Sequence, residues 1–127
     1  MAGSPLVSNP IVVLLVDDEP VLRMVARQGL EDAGFEVIEA DDAKTALEIL
    51  DAGAAVTVLF TDVNMPGPLD GLDLAECVHE RWPAIQLVIT SGRGLTTPLP
   101  DDGRFMAKPY SIDQLIRAVD EAAKRGD

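Results

Sequence analysis

The chain alternates short, continuously apolar runs with segments whose apolar residues recur every three or four positions, and few folds accept that rhythm. Ile11-Val12-Val13-Leu14-Leu15-Val16 is β-branched and aliphatic throughout, the composition of a strand buried on both faces. Pro20 then suits the first turn of a helix. Leu22, Val25, Ala26, Gly29, Leu30 and Ala33 give that helix one apolar stripe, and Gly34 is placed to end it. The cycle repeats with a strand over Glu36–Ala40 and a helix capped by Asp41 or Asp42, with Ala43, Ala46, Leu47 and Leu50 on its inner face. A strand over Val56–Thr61, a helix from about Gly71 to Arg81 stopped by Pro83, and strands at Gln86–Thr90 and Arg104–Ala107 follow. A last helix opens with the capping-box pair Ser111 and Gln114. Strands joined through helices by short connections predict an α/β domain: a doubly wound, five-stranded parallel sheet of order 2-1-3-4-5 with helices on both faces.

One interval breaks the rhythm. Gly92-Arg93-Gly94-Leu95-Thr96-Thr97-Pro98-Leu99-Pro100 holds two prolines and two glycines without a helical stripe. A loop or single turn is expected there, leaving the fourth helix of the full alternation reduced or absent. Residues 1–10 are expected to be a disordered tail, and 11–125 one domain.

Composition excludes several function classes. At 127 residues and 47% hydrophobic content the chain suits one packed core, and 4% aromatic content makes that core aliphatic. A formal charge of −12 argues against a nucleic-acid surface, which needs clustered Lys and Arg. Cys77 is the only cysteine, so no intramolecular disulfide forms. With no export leader and no apolar run of membrane-spanning length, the reading is a cytoplasmic protein without a membrane association.

In an open parallel sheet, ligands sit beyond the carboxyl ends of the strands. The first strand ends in Asp17-Asp18-Glu19, the third in Asp62 with Asn64 two residues on, the fourth in Ser91-Gly92 and the fifth in Lys108-Pro109. Crowded carboxylates either hold protons or share a cation. An all-oxygen site suits Mg²⁺, or Mn²⁺ in its place. One carboxylate is then able to attack phosphorus, and a lysine and a hydroxyl suit the charge on a phosphoryl group. Each motif alone has a plainer explanation: a helix cap at Asp17 or Asp18, a loop aspartate at Asp62, turn chemistry at Asn64 and Ser91. Their joint occurrence at four strand ends is what argues for a site.

Val16-Asp17-Asp18-Glu19-Pro20, Thr61-Asp62-Val63-Asn64-Met65-Pro66, Asp70-Gly71, Thr90-Ser91-Gly92 and Lys108-Pro109-Tyr110, in this order and spacing, resemble the receiver domain of two-component response regulators over Ile11 to Lys124. The resemblance implies a phosphorylation switch, either stand-alone or attached to a kinase, and not an enzyme for external substrates. Asp62 would accept a phosphoryl group from a sensor histidine kinase or a histidine phosphotransfer protein. Asp17, Asp18, Asp62 and the backbone carbonyl of Asn64 would hold the metal, with Asp18 the more direct ligand. Ser91 and Lys108 would bind the phosphoryl oxygens, and Pro109 would follow a cis peptide bond. Phe105 matches the aromatic position whose rotamer follows the hydroxyl residue, with core packing an equal alternative. A downstream protein target is implied.

Two departures from the family pattern stand out. The loop Met65–Gly71 is one residue longer than the common form, and the span from Ser91 to Lys108 is shorter. The shorter span removes the usual ground for assuming the family dimer, and the switch is expected to work through ordering of residues 92–103. Three rivals share the architecture. A flavodoxin-like cofactor binder needs a Ser/Thr/Gly phosphate loop where this chain has Asp17-Asp18-Glu19. An aspartyl-nucleophile phosphatase of the haloacid-dehalogenase type needs an acid where Asn64 stands. A phosphorylation-independent protein-binding module would tolerate loss of site residues, and none is missing.

Overall fold

A computed structural model describes residues 10–92, 99 and 103–125. The elements run β1 (Val12–Val16), α1 (Pro20–Asp32), β2 (Glu36–Ala40), α2 (Ala43–Asp51), β3 (Val58–Asp62), α3 (Gly71–Arg81), β4 (Gln86–Ser91), β5 (Arg104–Ala107) and α4 (Ile112–Arg125). All five strands are parallel, in the order β2-β1-β3-β4-β5, as the alternation predicts. The described residues form four helices. Residues 93–98 and 100–102, on which the expected loss of a helix and the expected ordering transition bear, lie outside the described residues, as does most of the expected N-terminal tail.

Alternation along each central strand divides the interior in two. Val13 and Leu15 of β1 join Val58, Phe60 and Val88 beneath α1 and α4, while Leu14 and Val16 join Leu59, Leu87 and Ile89 beneath α2 and α3. Such double-sided burial is why these strands read as unbroken apolar runs. Asp42 caps α2 by accepting from the Thr45 N–H at 2.8 Å, and Ser111 and Gln114 form the reciprocal pair at the start of α4. β3 begins two residues later than the apolar run suggests. Thr57 has turned its hydroxyl to the Val12 N–H at 3.1 Å, so Val56 lies outside the strand.

The helix that opens the fold departs from expectation. Of its apolar stripe only Ala26 and Leu30 are buried; Leu22 and Val25 remain exposed, and Met24 beside them is 58% exposed. Periodicity marks which side of a helix faces inward, but not how much of its length the neighbouring elements cover. No helix among the described residues is long and apolar enough to cross a membrane.

Candidate functional site

Register sets the rim of the sheet. Val16 lies beside Thr61, Asp62 beside Thr90 and Ser91 beside Ala107, so the strands end nearly level. Backbone bonds carry the ladders one residue further, from Asp17 N–H to Ala40 O (3.2 Å), Val63 N–H to Thr90 O (2.9 Å) and Lys108 N–H to Ser91 O (3.1 Å). Asp17, Asp62, Ser91 and Lys108 are thereby fixed by the sheet itself. Loops are the usual carriers of such residues, but here the rigid element does the positioning.

Asp17, Asp18 and Asp62 each offer a carboxylate oxygen within 4.8 Å of the others. Asp17 is 2% exposed and Asp62 3% exposed, whereas Asp18 is half-buried at the mouth. Asp62 is held from both sides: its Oδ1 accepts from the Asn64 N–H at 3.2 Å, and its Oδ2 accepts from Lys108 Nζ at 2.9 Å. Burial pushes the Asp17 carboxyl above its ordinary value. The Glu19 N–H at 2.9 Å and the Lys108 charge oppose that shift, and the Asp62 charge adds to it. Burial also works against the Lys108 ammonium, but the Asp62 hydrogen bond and the charges of Asp62, Asp17 and Glu19 outweigh it and raise its pKa. Tyr110, half-buried and facing the same acids, is pushed up to about 12 and stays a neutral phenol, its ring edge-on to Phe60 at 5.7 Å.

The remaining expected residues stand around this centre. Asn64 Nδ2 reaches Ser91 Oγ at 3.5 Å, and Ser91 is buried. The Lys108–Pro109 peptide bond is cis. Phe105 is 38% exposed on β5 and lines a groove with Arg117 and Ala118 of α4, so of its two readings the packed-core one is overturned: β5 is an edge strand whose alternate residues face outward. A cleft of about 500 Å³ opens beside Asp18, Asn64 and Asp70. Hard oxygen donors crowded at like charge, two of them buried, fit a divalent cation held by carboxylates.

Two contributions escaped the sequence reading. A Cβ at Gly71 would lie 1.9 Å from the Asp62 carbonyl oxygen, so α3 meets the end of β3 only through a glycine. Arg23 donates from Nη1 to the Asp17 carbonyl at 2.7 Å and from Nε to Glu39 at 3.1 Å. The Asp70-Gly71 pair hinted at the first; nothing in the local pattern marks the second.

A family model described as the response regulator receiver domain matches residues 13–120. The chain belongs to this family. It is 34% identical over 126 residues to the sensor kinase CckA of Brucella abortus, covering 94% of this chain and 13% of that protein. It is 33% identical to the transcriptional regulatory protein PdtaR of Mycobacterium tuberculosis, covering 91% of this chain and 58% of that one. The chain thus spans a small part of the kinase and just over half of the regulator. Among solved structures, a response regulator receiver protein from Sinorhizobium medicae superposes with a TM-score of 0.86 at 31% identity, covering 94% of this chain and 98% of that chain. The receiver domain of the hybrid histidine kinase CckA superposes at 0.78, also at 31% identity, over 88% of this chain and 98% of its own. Receiver domains of two-component systems are phosphoacceptor signalling switches, and their acidic pocket typically binds Mg²⁺.

Proposed function

We propose that Asp62 is the phosphoacceptor of this receiver and that a sensor histidine kinase or a histidine phosphotransfer protein is its donor. The observation that carries the reading is the setting of Asp62: buried at the end of the central strand, beside two further carboxylates, with Lys108 Nζ 2.9 Å from Oδ2. A carboxylate oxygen attacks phosphorus, the P–N bond of a phosphohistidine breaks, and its electron pair leaves with the imidazole; the product is an aspartyl phosphate. Asp17, Asp18, Asp62 and the Asn64 carbonyl would hold Mg²⁺ or Mn²⁺, which supplies countercharge to the phosphoryl oxygens. Lys108 then exchanges its carboxylate partner for a phosphoryl oxygen, and Ser91 donates to another. Phe105, already outward-facing, follows Ser91 and alters the β5–α4 face.

The donor has to approach over the rim. Val21, Leu22, Met24 and Val25 are exposed on α1, and an apolar groove of about 610 Å³ runs from Leu22 and Val25 to Pro109, Tyr110 and Ile112, with Lys108 at its inner end. A helical partner seated there brings its histidine to Asp62, and monomers seldom leave such a patch uncovered without use.

Incubation with a small phosphodonor and Mg²⁺, read by intact mass and peptide mapping, tests the assignment. One phosphoryl group is expected on Asp62, none in Asp62→Asn, and none when the metal is chelated. A mass gain on another residue, or no gain in the unaltered chain, overturns it; the latter outcome returns the chain to a phosphorylation-independent binding role.

A further inference from the structure

Asp17 is held through its N–H, its carboxylate and its carbonyl. Its N–H donates to Ala40 O at 3.2 Å, its Oδ1 accepts from the Glu19 N–H at 2.9 Å, and its carbonyl accepts from Arg23 Nη1 at 2.7 Å. The first two contacts are ordinary backbone chemistry. The third is not: a guanidinium spent on a single peptide carbonyl, with the same side chain anchored through Nε on Glu39. Glu39 also accepts from Arg27 Nη1 at 2.7 Å. It lies in β2 next to the last residue, Ala40, the partner of the Asp17 N–H. The Asp17 backbone is therefore tied to two adjacent residues of β2, its N–H directly to Ala40 and its carbonyl through Arg23 to Glu39.

Exposed ion pairs contribute little to stability, and Arg27 with its partners has the exposure of such a pair. Arg23 differs, being 20% exposed and bonded to backbone. The carbonyl it holds belongs to the peptide that joins Asp17 to Asp18, and the plane of that peptide sets the direction in which the Asp18 side chain leaves the backbone. We infer that Arg23 is a positioning residue for the acidic site: it clamps the Asp17–Asp18 peptide to Glu39 and so aims the Asp18 carboxylate at the divalent cation. This rests on the metal-binding reading proposed above.

Electrostatics alone predicts the opposite sign. A fixed cation beside an acid cluster opposes the entry of Mg²⁺, so deleting its charge should tighten binding. Positioning predicts weakening, because outer partners that orient ligands typically change metal affinity about 10- to 100-fold. Lysine separates the two further: it keeps the charge but lacks the planar fork that bonds a carbonyl and a carboxylate together.

The experiment is calorimetric titration of the full chain with Mg²⁺ for the unaltered protein, Arg23→Met, Arg23→Lys and the surface control Lys124→Met. It is paired with phosphodonor labelling across a Mg²⁺ series. Both Arg23 variants are expected to bind Mg²⁺ about tenfold more weakly and to need correspondingly more Mg²⁺ for half-maximal labelling, while their labelling rate at saturating Mg²⁺ stays close to that of the unaltered chain. Lys124→Met should match the unaltered chain. Tighter binding in Arg23→Met together with unchanged binding in Arg23→Lys overturns the inference, as does affinity in both equal to that of the unaltered chain. If the unaltered chain itself takes up no Mg²⁺ and no phosphoryl group, the proposed function falls first and this clamp falls with it. Should Arg23→Met fail to fold, Arg23→Lys alone still decides, since it retains length and charge.

Discussion

Two stretches of the central strand are equally buried and opposite in chemistry. Val58, Leu59 and Phe60 fill the two apolar layers, while Thr61 and Asp62, next in line and also buried, close the same strand at the rim. Burying hydrocarbon stabilises a fold; burying a carboxylate costs stability unless donors replace the lost water. Asp62 has an ammonium and a backbone N–H to compensate it, whereas Asp17 has one backbone N–H and its carboxyl is raised accordingly. The lower part of the strand therefore supplies the stability that lets the rim hold acids together. A receiver without bound metal carries its site as a local destabilisation, which a cation relieves.

Substitutions at the two levels should separate these contributions. Phe60→Ala, which empties a fully buried position between α1 and α4, is expected to cost about 3–5 kcal/mol in denaturant unfolding. A loss below ~1 kcal/mol would mean the layers beneath the rim do not carry the fold.

At the rim the sign reverses. Asp17→Asn keeps an acceptor for the Glu19 N–H but removes one of the crowded charges, and should stabilise the metal-free protein by about 1 kcal/mol at pH 7. The raised carboxyl means the folded state favours the protonated form. As pH falls through the folded pKa the unaltered protein gains stability relative to the variant, and the gap closes below the ordinary value of 3.8. With saturating Mg²⁺ the order should invert. If stability instead falls in the metal-free variant, the acid cluster is not a source of strain.

The smallest effect belongs to Glu39→Gln. The Arg27 hydrogen bond, with the Arg23 bond beside it, lowers the Glu39 carboxyl despite some burial. Its contribution is present above the ordinary value of 4.5 and is lost as pH falls through the folded pKa. A loss of about 0.5 kcal/mol near neutral pH that vanishes on acidification is expected from parallel unfolding curves. A loss that persists in acid would assign the effect to packing instead.

Most of the architecture could be read from the chain because burial on two faces leaves a strand no polar position, and capping residues are local signals. Strand order, the Asp42 and Ser111 caps and the acids at the strand ends all belong to this class. What escaped was of another kind. The apolar stripe of α1 gave its inward side correctly and its coverage wrongly: Leu22 and Val25 remain outside because coverage depends on which neighbours reach that end of the helix. The predicted order already put β5 at the edge, but which of its faces Phe105 lies on was decided only by the structure. Arg23 and Glu39, sixteen residues apart, show no motif at all.

The sequence by itself determined the alternation, the parallel sheet and which residue types stand at the strand ends, since each follows from short-range periodicity and from the rule that carboxyl ends share an edge. Only the tertiary structure decided the distances: that Lys108 lies 2.9 Å from Asp62 and 4.0 Å from Glu19, that α3 approaches β3 through a glycine, and that Arg23 reaches the Asp17 carbonyl. Contacts between residues far apart in the chain depend on strand register and helix packing together, and no local pattern encodes either one alone.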